Sequence, residues 1–328
     1  MSQKTIKIAL LGHGTVGQSV RRIIQENHER LCQVIKQRTN QSVELQITGV
    51  LVSDPSKHEV LGESAYTESD KLLAQEYDVL IELLGGLEPA TGLIKQALSN
   101  GKDVVTANKH ALFAAQGELE ALARKNHVTL SYEAAVAGAI PILRSVQSLV
   151  SGGISKIEGI LNGSTNYILT QVAGGKSLDQ ALIEASQKGF LEADPSSDVD
   201  GFDAMYKLGI LTYLATGSYP SEDSIERIGI TGLSKEAIEK AKAEHKKYKL
   251  IASADYKTKE YSVKPVAIGE DHYLYQVDGA LNGIILQHEH AGELSFQGAG
   301  AGGDETASAV IGDLIDTICH RLLRRQHD

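Results

Sequence analysis

The sequence predicts an α/β fold that opens with a doubly wound parallel sheet, and three observations carry that prediction. Short apolar runs of strand length recur at residues 6–11, 45–52, 79–84 and 103–106, separated by stretches with helical periodicity. Strands that alternate with helices in this way are the signature of βαβ units. The first run, Ile6-Lys7-Ile8-Ala9-Leu10-Leu11, feeds directly into Gly12-His13-Gly14-Thr15-Val16-Gly17, and a helical pattern follows from Ser19. With 328 residues, 42% hydrophobic and 23% charged, the chain can bury a large core and divide into two domains.

Taken in order, the first strand, glycine turn and helix start form a Rossmann-type dinucleotide-binding unit. Gly12 permits the tight turn, Gly14 lets the backbone approach a pyrophosphate, and Gly17 allows close helix packing. The helix N-terminus at Thr15 and Val16 offers N–H donors to the anion. An acidic residue about 20 positions on would select the ribose 2′-hydroxyl, and none stands there. The second strand ends instead at Ser53-Asp54-Pro55-Ser56-Lys57. Asp54 on a ribose hydroxyl would favour NAD, whereas Ser53 and Lys57 around a 2′-phosphate would favour NADP. The third run ends at Gly85-Gly86-Leu87-Glu88-Pro89, a helix is expected at 92–99, and the fourth run ends at Ala107-Asn108-Lys109. Both ends lie where open α/β sheets bind ligands, so Gly85 and Lys109 are candidate site residues. A plain helix-start lysine is the competing reading of Lys109.

Residues 128–133 read as another strand, ending at Glu133 in a turn of small residues, Ala134 to Pro141. Inward carbonyls there, with the Glu133 carboxylate, suit a hard monovalent cation; packing of small residues explains the composition equally well. A strand at 157–160 precedes Leu161-Asn162-Gly163-Ser164-Thr165, whose N–H groups and hydroxyls make a carboxylate-binding helix start or an ordinary cap. The chemistry concentrates in residues 189–207, five carboxylates and one lysine around a loop that runs into a helix. Asp203 and Lys207 stand at i,i+4, so the carboxylate sits one turn before the ammonium on one face. A partly desolvated lysine so held can pass a proton to or from a substrate oxygen. A surface ion pair is the bland alternative. Strands are expected at 261–266, 273–277, 283–286 and 293–296, then a glycine-rich turn at 298–306 and a last helix at 307–323.

A net charge of −10 argues against nucleic acid or an anionic membrane as partner. There is no apolar run of spanning length and no signal-peptide pattern, which points to the cytoplasm. Cys32 and Cys319 are the only cysteines, far apart and without CxxC spacing. His288-Glu289-His290 is the one histidine cluster. On a strand both imidazoles share a face, read as a solvated surface ahead of a metal site.

The motifs at 12–17, 82–90, 106–109, 133–142, 159–169, 189–207 and 298–310 together resemble homoserine dehydrogenase over nearly the whole chain. That family interconverts L-homoserine and L-aspartate 4-semialdehyde with NADP or NAD. The resemblance implies a dinucleotide-binding domain over 1–135, an α+β substrate-binding and dimerisation domain over 136–300, and a helix over 301–328 returning to the first. It implies Lys207 as acid/base supported by Asp203, Lys109 between cofactor and substrate, and Glu192 and Asp198 in the substrate site with Gly163, Ser164 and Tyr167. It further implies a sodium-like cation held by Glu133, Val136, Gly138 and Ile140, Gly302 against the cofactor, and a homodimer. His13, Ser164 and Met205 depart from the usual residues, and Ser53 replaces a common arginine. Many relatives carry a C-terminal regulatory ACT domain. The sequence ends after its last helix, so a short form without threonine feedback through that domain is expected. Two readings compete: another semialdehyde oxidoreductase, which would need a cysteine nucleophile, and a non-catalytic NAD(P)-sensing regulator.

Overall fold

A computed structural model describes residues 3–191 and 194–324. The chain divides into two compact units, Met1–Ala135 with Gly302–Asp328, and Val136–Ala301.

The first unit is built on six parallel strands: β1 (Lys4–Leu11), β2 (Val43–Leu51), β3 (Ala65–Tyr66), β4 (Val79–Glu82), β5 (Asp103–Thr106) and β6 (Leu130–Ser131). Their order, β3-β2-β1-β4-β5-β6, reverses direction between β1 and β4. A crevice opens at such a switch point beyond the strand C-termini. Side chains alternate across the sheet and so feed two separate cores. Ile6, Ile8, Leu10, Val79, Ile81 and Val105 join one core, into which the helix Gly303–Arg324 sends Val310, Leu314 and Ile318. Ala9, Leu11, Leu80 and Val104 join the other, against Ile94, Leu98 and Leu119. Each fully buried Ile or Leu contributes about 1.5–3 kcal/mol, so this two-sided burial accounts for the unbroken apolar runs in the sequence. Ions anchor the last helix as well. Arg321 donates to Asp103 at 2.9 Å and Asp78 at 2.6 Å, and Arg324 to Asp103 at 2.7 Å.

The second unit carries a mixed sheet in the order β12-β11-β7-β9-β10-β8, from β7 (Ile154–Ile160), β8 (Ile225–Arg227), β9 (Lys247–Asp255), β10 (Glu260–Ile268), β11 (Leu281–His288) and β12 (Gly292–Ala299). Only β8 and β10 pair in parallel.

Several elements differ from the sequence reading. Residues 273–277 form not a strand but the 3-10 turn Tyr273–Gln276, because Leu274 and Val277, three apart, are the pair that buries. The expected strand at 128–133 pairs only over Leu130–Ser131, and Glu133 begins a 3-10 turn, Glu133–Ala135. His288 ends β11 and His290 falls in the hairpin turn, so the two do not alternate on one strand. The strand β9 has no counterpart in the sequence reading. Among the described residues no helix is long and apolar enough to cross a membrane.

Candidate active site

In the first unit the glycine turn joins β1 to the helix Thr15–Glu26. Gly12 adopts φ +99°, and a Cβ at Gly17 would stand 2.2 Å from the Gly12 carbonyl oxygen. Glycine alone lets this helix start so close to the strand. Nothing lies within 4 Å of where a Gly14 Cβ would be, and no side chain caps the helix start there. The first-turn N–H groups, with the positive end of the helix dipole, fit an anion such as a pyrophosphate. Gly302 precedes the helix Gly303–Arg324, whose start packs on Thr15 and Ser19. Asp304 accepts from the Ser19 hydroxyl at 2.6 Å and from Arg22 at 2.5 Å. Gly302 and the glycine turn thus come together in one unit.

At the end of β2, Ser53 is exposed. Asp54 Oδ1 accepts from the Ser56 N–H at 3.0 Å and its hydroxyl at 2.6 Å, capping the turn Pro55–Lys57. These bonds hold the Asp54 carboxyl below the usual range. Lys57 Nζ lies 3.9 Å from its other oxygen. The carboxylate that the sequence offered to a ribose hydroxyl therefore already serves as a turn cap.

Buried Glu82, at the end of β4, is a residue that sequence reasoning passed over. It accepts from Leu84 N–H at 2.8 Å, Gly85 N–H at 3.4 Å, Thr106 hydroxyl at 2.5 Å and Asn108 Nδ2 at 3.4 Å. Asn108 also donates to the Gly86 carbonyl at 2.8 Å and caps the helix Lys109–Lys125. The Gly85 loop and the half-buried Lys109 at the helix start are knitted together this way. A carboxylate inside an apolar strand run was the available signal.

Glu133 is buried, and its backbone N–H donates to Asp313 at 2.7 Å. It belongs to the first unit, whereas Val136, Gly138 and Ile140 belong to the second. There Gly138 packs against the Gly300 backbone, and Gly300 against Asn282. Asn282 is fully buried, and its amide nitrogen and oxygen have no hydrogen-bond partner among the described residues.

The second unit brings together Asp198, Asp203 and Lys207 around Asn162. The helix Phe202–Thr216 starts at Gly201, and its i,i+4 step sets Asp203 Oδ2 2.8 Å from Lys207 Nζ. Lys207 also donates to the Leu161 carbonyl at 2.9 Å. Both side chains are nearly buried, 12% exposed for Lys207 and 7% for Asp203, so this is not the surface ion pair of the bland reading. Asn162 stands two residues beyond β7 and caps the helix Gly163–Ala173, its Oδ1 accepting from the Thr165 N–H at 2.8 Å. That bond fixes the amide orientation and aims both Nδ2 hydrogens at carboxylates, Asp198 at 2.6 Å and Asp203 at 2.9 Å. The sequence reading saw Asn162 only as part of a helix start. Its position just after the strand was the signal that could have found it.

Gly163 packs so tightly on the Ala280 carbonyl that a Cβ would stand 2.6 Å from the oxygen. The Ser164 hydroxyl donates to the Phe190 carbonyl at 2.7 Å. Tyr167 stacks its ring 4.5 Å from that of Phe190 and donates to Glu184 at 2.8 Å. Burial, aided by Glu184, pushes its phenol up. Glu192 lies outside the described residues.

A dinucleotide-type crevice in one unit, and a buried lysine–carboxylate pair beside a helix N-terminus in the other, define an NAD(P)-dependent oxidoreductase acting on a CH–OH group. Comparison with known proteins makes the family specific. Residues 12–133 match the homoserine dehydrogenase NAD-binding domain model, and residues 141–315 the homoserine dehydrogenase model. The homoserine dehydrogenase of Lactococcus lactis is 37% identical over 99% of this chain and 76% of its own length. The crystal structure of a homoserine dehydrogenase from Thiobacillus denitrificans superposes with TM-score 0.90 at 35% identity, covering 99% of this chain and 75% of that one. A hyperthermophilic archaeal homoserine dehydrogenase in complex with NADPH superposes with TM-score 0.80 at 30% identity, over 96% of this chain and 98% of that one. The chain belongs to the homoserine dehydrogenase family.

Proposed function

We propose that this chain catalyses the NAD(P)-dependent interconversion of L-homoserine and L-aspartate 4-semialdehyde, with Lys207 as general acid/base. One observation carries the assignment of roles: Lys207 Nζ is held by Asp203 and the Leu161 carbonyl in a nearly buried position. The nicotinamide, when bound, supplies or accepts the hydride. In the synthetic direction the aldehyde oxygen gains negative charge, and Lys207 donates a proton to it from the N–H not engaged by Asp203 or Leu161. In the reverse direction a neutral Lys207 takes the hydroxyl proton. Asp203 orients the ammonium by accepting from it at 2.8 Å. Lys109 is the rival donor.

The substrate is an amino acid, so its ammonium requires carboxylates and its carboxylate requires N–H donors. Asp198 with Glu192 serves the first. The backbone of Gly163 and Ser164 serves the second, since the Ser164 hydroxyl proton is already committed to Phe190. Tyr167 supports that helix face. The glycine turn (Gly12, Gly14, Thr15, Val16, Gly17), Gly85 and Gly302 hold the dinucleotide, with Ser53 and Lys57 at its ribose end. NADP is favoured over NAD because Asp54 is occupied as a turn cap. A sodium-like cation is assigned to Glu133, Val136, Gly138 and Ile140 on the family resemblance alone. A cytoplasmic homodimer built on the second unit completes the reading.

Acyl-transfer chemistry on a semialdehyde is disfavoured because burial pushes the thiols of both Cys32 and Cys319 up, away from thiolate. The decisive experiment follows reduced-nicotinamide absorbance with L-homoserine plus NAD or NADP at alkaline pH, with L-serine and L-threonine as controls. Homoserine-dependent reduction is expected. Silence with both cofactors, in a folded sample that binds nucleotide, would overturn the reading in favour of a sensor.

A further inference from the structure

The sequence sets a histidine, His13, between the first two glycines of the turn, and the structure gives it a partner. His13 Nδ1 lies 3.1 Å from His58 Nδ1, with the rings edge-on at 4.8 Å between centroids. His13 leaves the end of β1, while His58 closes the turn Pro55–Lys57 just beyond β2. The two imidazoles therefore span the C-terminal ends of adjacent parallel strands. That is where a dinucleotide's adenosine half lies and where the ribose 2′ position is read.

Two further facts set this pair apart from a packed core histidine. One Nδ1 must carry the hydrogen and the other must accept it, so the pair shares a single proton in its neutral form. The other nitrogen of His13, Nε2, is buried and has no hydrogen-bond partner among the described residues, although the residue is only 5% exposed. A buried imidazole nitrogen without a partner is the exception in folded proteins and calls for a group to meet it.

Charges of both signs surround the pair: Arg21, from the helix Thr15–Glu26, acts on His13, and Lys57 and the exposed Glu59 flank His58 in the chain. The carboxylate acting on His58, Asp54, is engaged by Ser56. Burial is the main reason His13 gives up its proton more readily than a free imidazole, with His58 and Arg21 adding to it.

We propose that the His13–His58 pair reads the ribose 2′-phosphate of NADP by taking up a proton as that phosphate binds, so that NADP-over-NAD preference weakens as pH rises. The inference rests on the cofactor reading above. A dianionic 2′-phosphate beside the pair favours its protonated form, and NAD, without that phosphate, gives no such gain. The extra proton also resolves the shared hydrogen bond, because a doubly protonated ring donates from both nitrogens.

The test is titration of the protein with NADP and with NAD from pH 5.5 to 8.5, followed by calorimetry in two buffers of different ionisation enthalpy. The same series is run on His58→Asn and His13→Leu. The expected result is an NADP:NAD affinity ratio that falls about tenfold from pH 6 to pH 8, with proton uptake on NADP binding alone. In His58→Asn both effects are lost and only the phosphate's own ionisation near pH 6 remains, which releases a proton on binding and makes the ratio rise with pH. Equal pH dependence in wild type and both variants, with both cofactors bound, would overturn the proposal and leave the cofactor site intact. Failure of wild type to bind either cofactor would overturn the site assignment, and the proposal with it. His58→Asn is the informative variant if His13→Leu fails to fold, since His58 is only half-buried on a loop.

Discussion

Two lysines of the second unit are both withdrawn from water, and their hydrogen-bonding surroundings differ. Lys207 is 12% exposed and has two acceptors, Asp203 and the Leu161 carbonyl, next to a helix N-terminus. Lys249, in the middle of β9, is 1% exposed and has three: Asn166 at 3.0 Å, the Val277 carbonyl at 2.6 Å and Asp278 at 2.8 Å. An ammonium has three hydrogens. All those of Lys249 are spent on the fold, whereas Lys207 has one that no described residue accepts. Asn166 passes the constraint on, donating to the Val277 and Leu281 carbonyls at 2.9 Å each and holding the 277–281 turn against its helix. A buried lysine is thus a functional candidate when its donors are incompletely used, and a structural clamp when they are saturated.

That contrast is broken most directly by Lys207→Ala. Turnover is expected to fall by about 10²–10⁴-fold, the usual range for a lost general acid, while nucleotide affinity stays near wild type and stability drops by about 1–3 kcal/mol, because Asp203 and the Leu161 carbonyl lose a donor. Near-normal turnover would move the role to Lys109. Asp203→Asn keeps the shape and removes the charge. It should lower kcat by about 10–100-fold, in line with about 1.5–3 kcal/mol for a charged hydrogen bond. A kcat equal to that of wild type would show that Asp203 does not support Lys207.

Lys249→Met should reverse the pattern. Denaturant unfolding is expected to show a loss of about 1–3 kcal/mol, the consequence of leaving the Asn166 oxygen and a buried carbonyl without a donor. Asp278 is partly exposed and keeps Lys247 at 2.9 Å, so it adds little. Turnover per folded molecule should stay within about threefold of wild type, since the reacting groups are untouched. A large kcat loss with unchanged stability would erase the distinction between the two lysines.

The smallest effect lies in pH. Burial lowers the pKa of Lys249 despite its pairing with Asp278. With a depressed folded-state value the unfolded chain binds more protons, so the Lys249 contribution is fully present above about pH 10.4 and is lost as pH falls through the lowered value. Wild type should therefore gain stability over Lys249→Met as pH rises through that window. Parallel stability–pH curves would show that the lysine is not depressed.

The readability of the two units differs for a related reason. In the first, strands buried on both faces must be continuously apolar, and the glycine turn marks where strand becomes helix. β1, β2, β4 and β5 were accordingly visible as runs with nearly correct ends. In the second, β9 begins Lys247-Tyr248-Lys249, and these lysines cut its apolar run down to the short stretch 250–254. The turn at 273–276 was mistaken for a strand because aromatic and branched residues favour strands, while the i,i+3 burial of Leu274 and Val277 emerges only against the rest of the sheet. Around the site, the Asp203–Lys207 step could be read directly, because i,i+4 geometry is local. Asn162, Glu82 and the His13–His58 contact could not, since each joins residues 24 to 45 positions apart.

By itself, then, the sequence determined the class of sheet in the first unit, the glycine turn that fits a pyrophosphate, and the lysine–carboxylate step on one helix. These follow from backbone sterics and from periodicities of two and 3.6 residues, which need no distant partner. Only the tertiary structure decided which charges lie out of water, that Asp54 is used as a cap, that Asn162 holds two carboxylates at once, and that one lysine keeps a hydrogen while another has none left. Desolvation and hydrogen-bond saturation are properties of a surrounding assembled from distant parts of the chain, and they are fixed only when those parts pack.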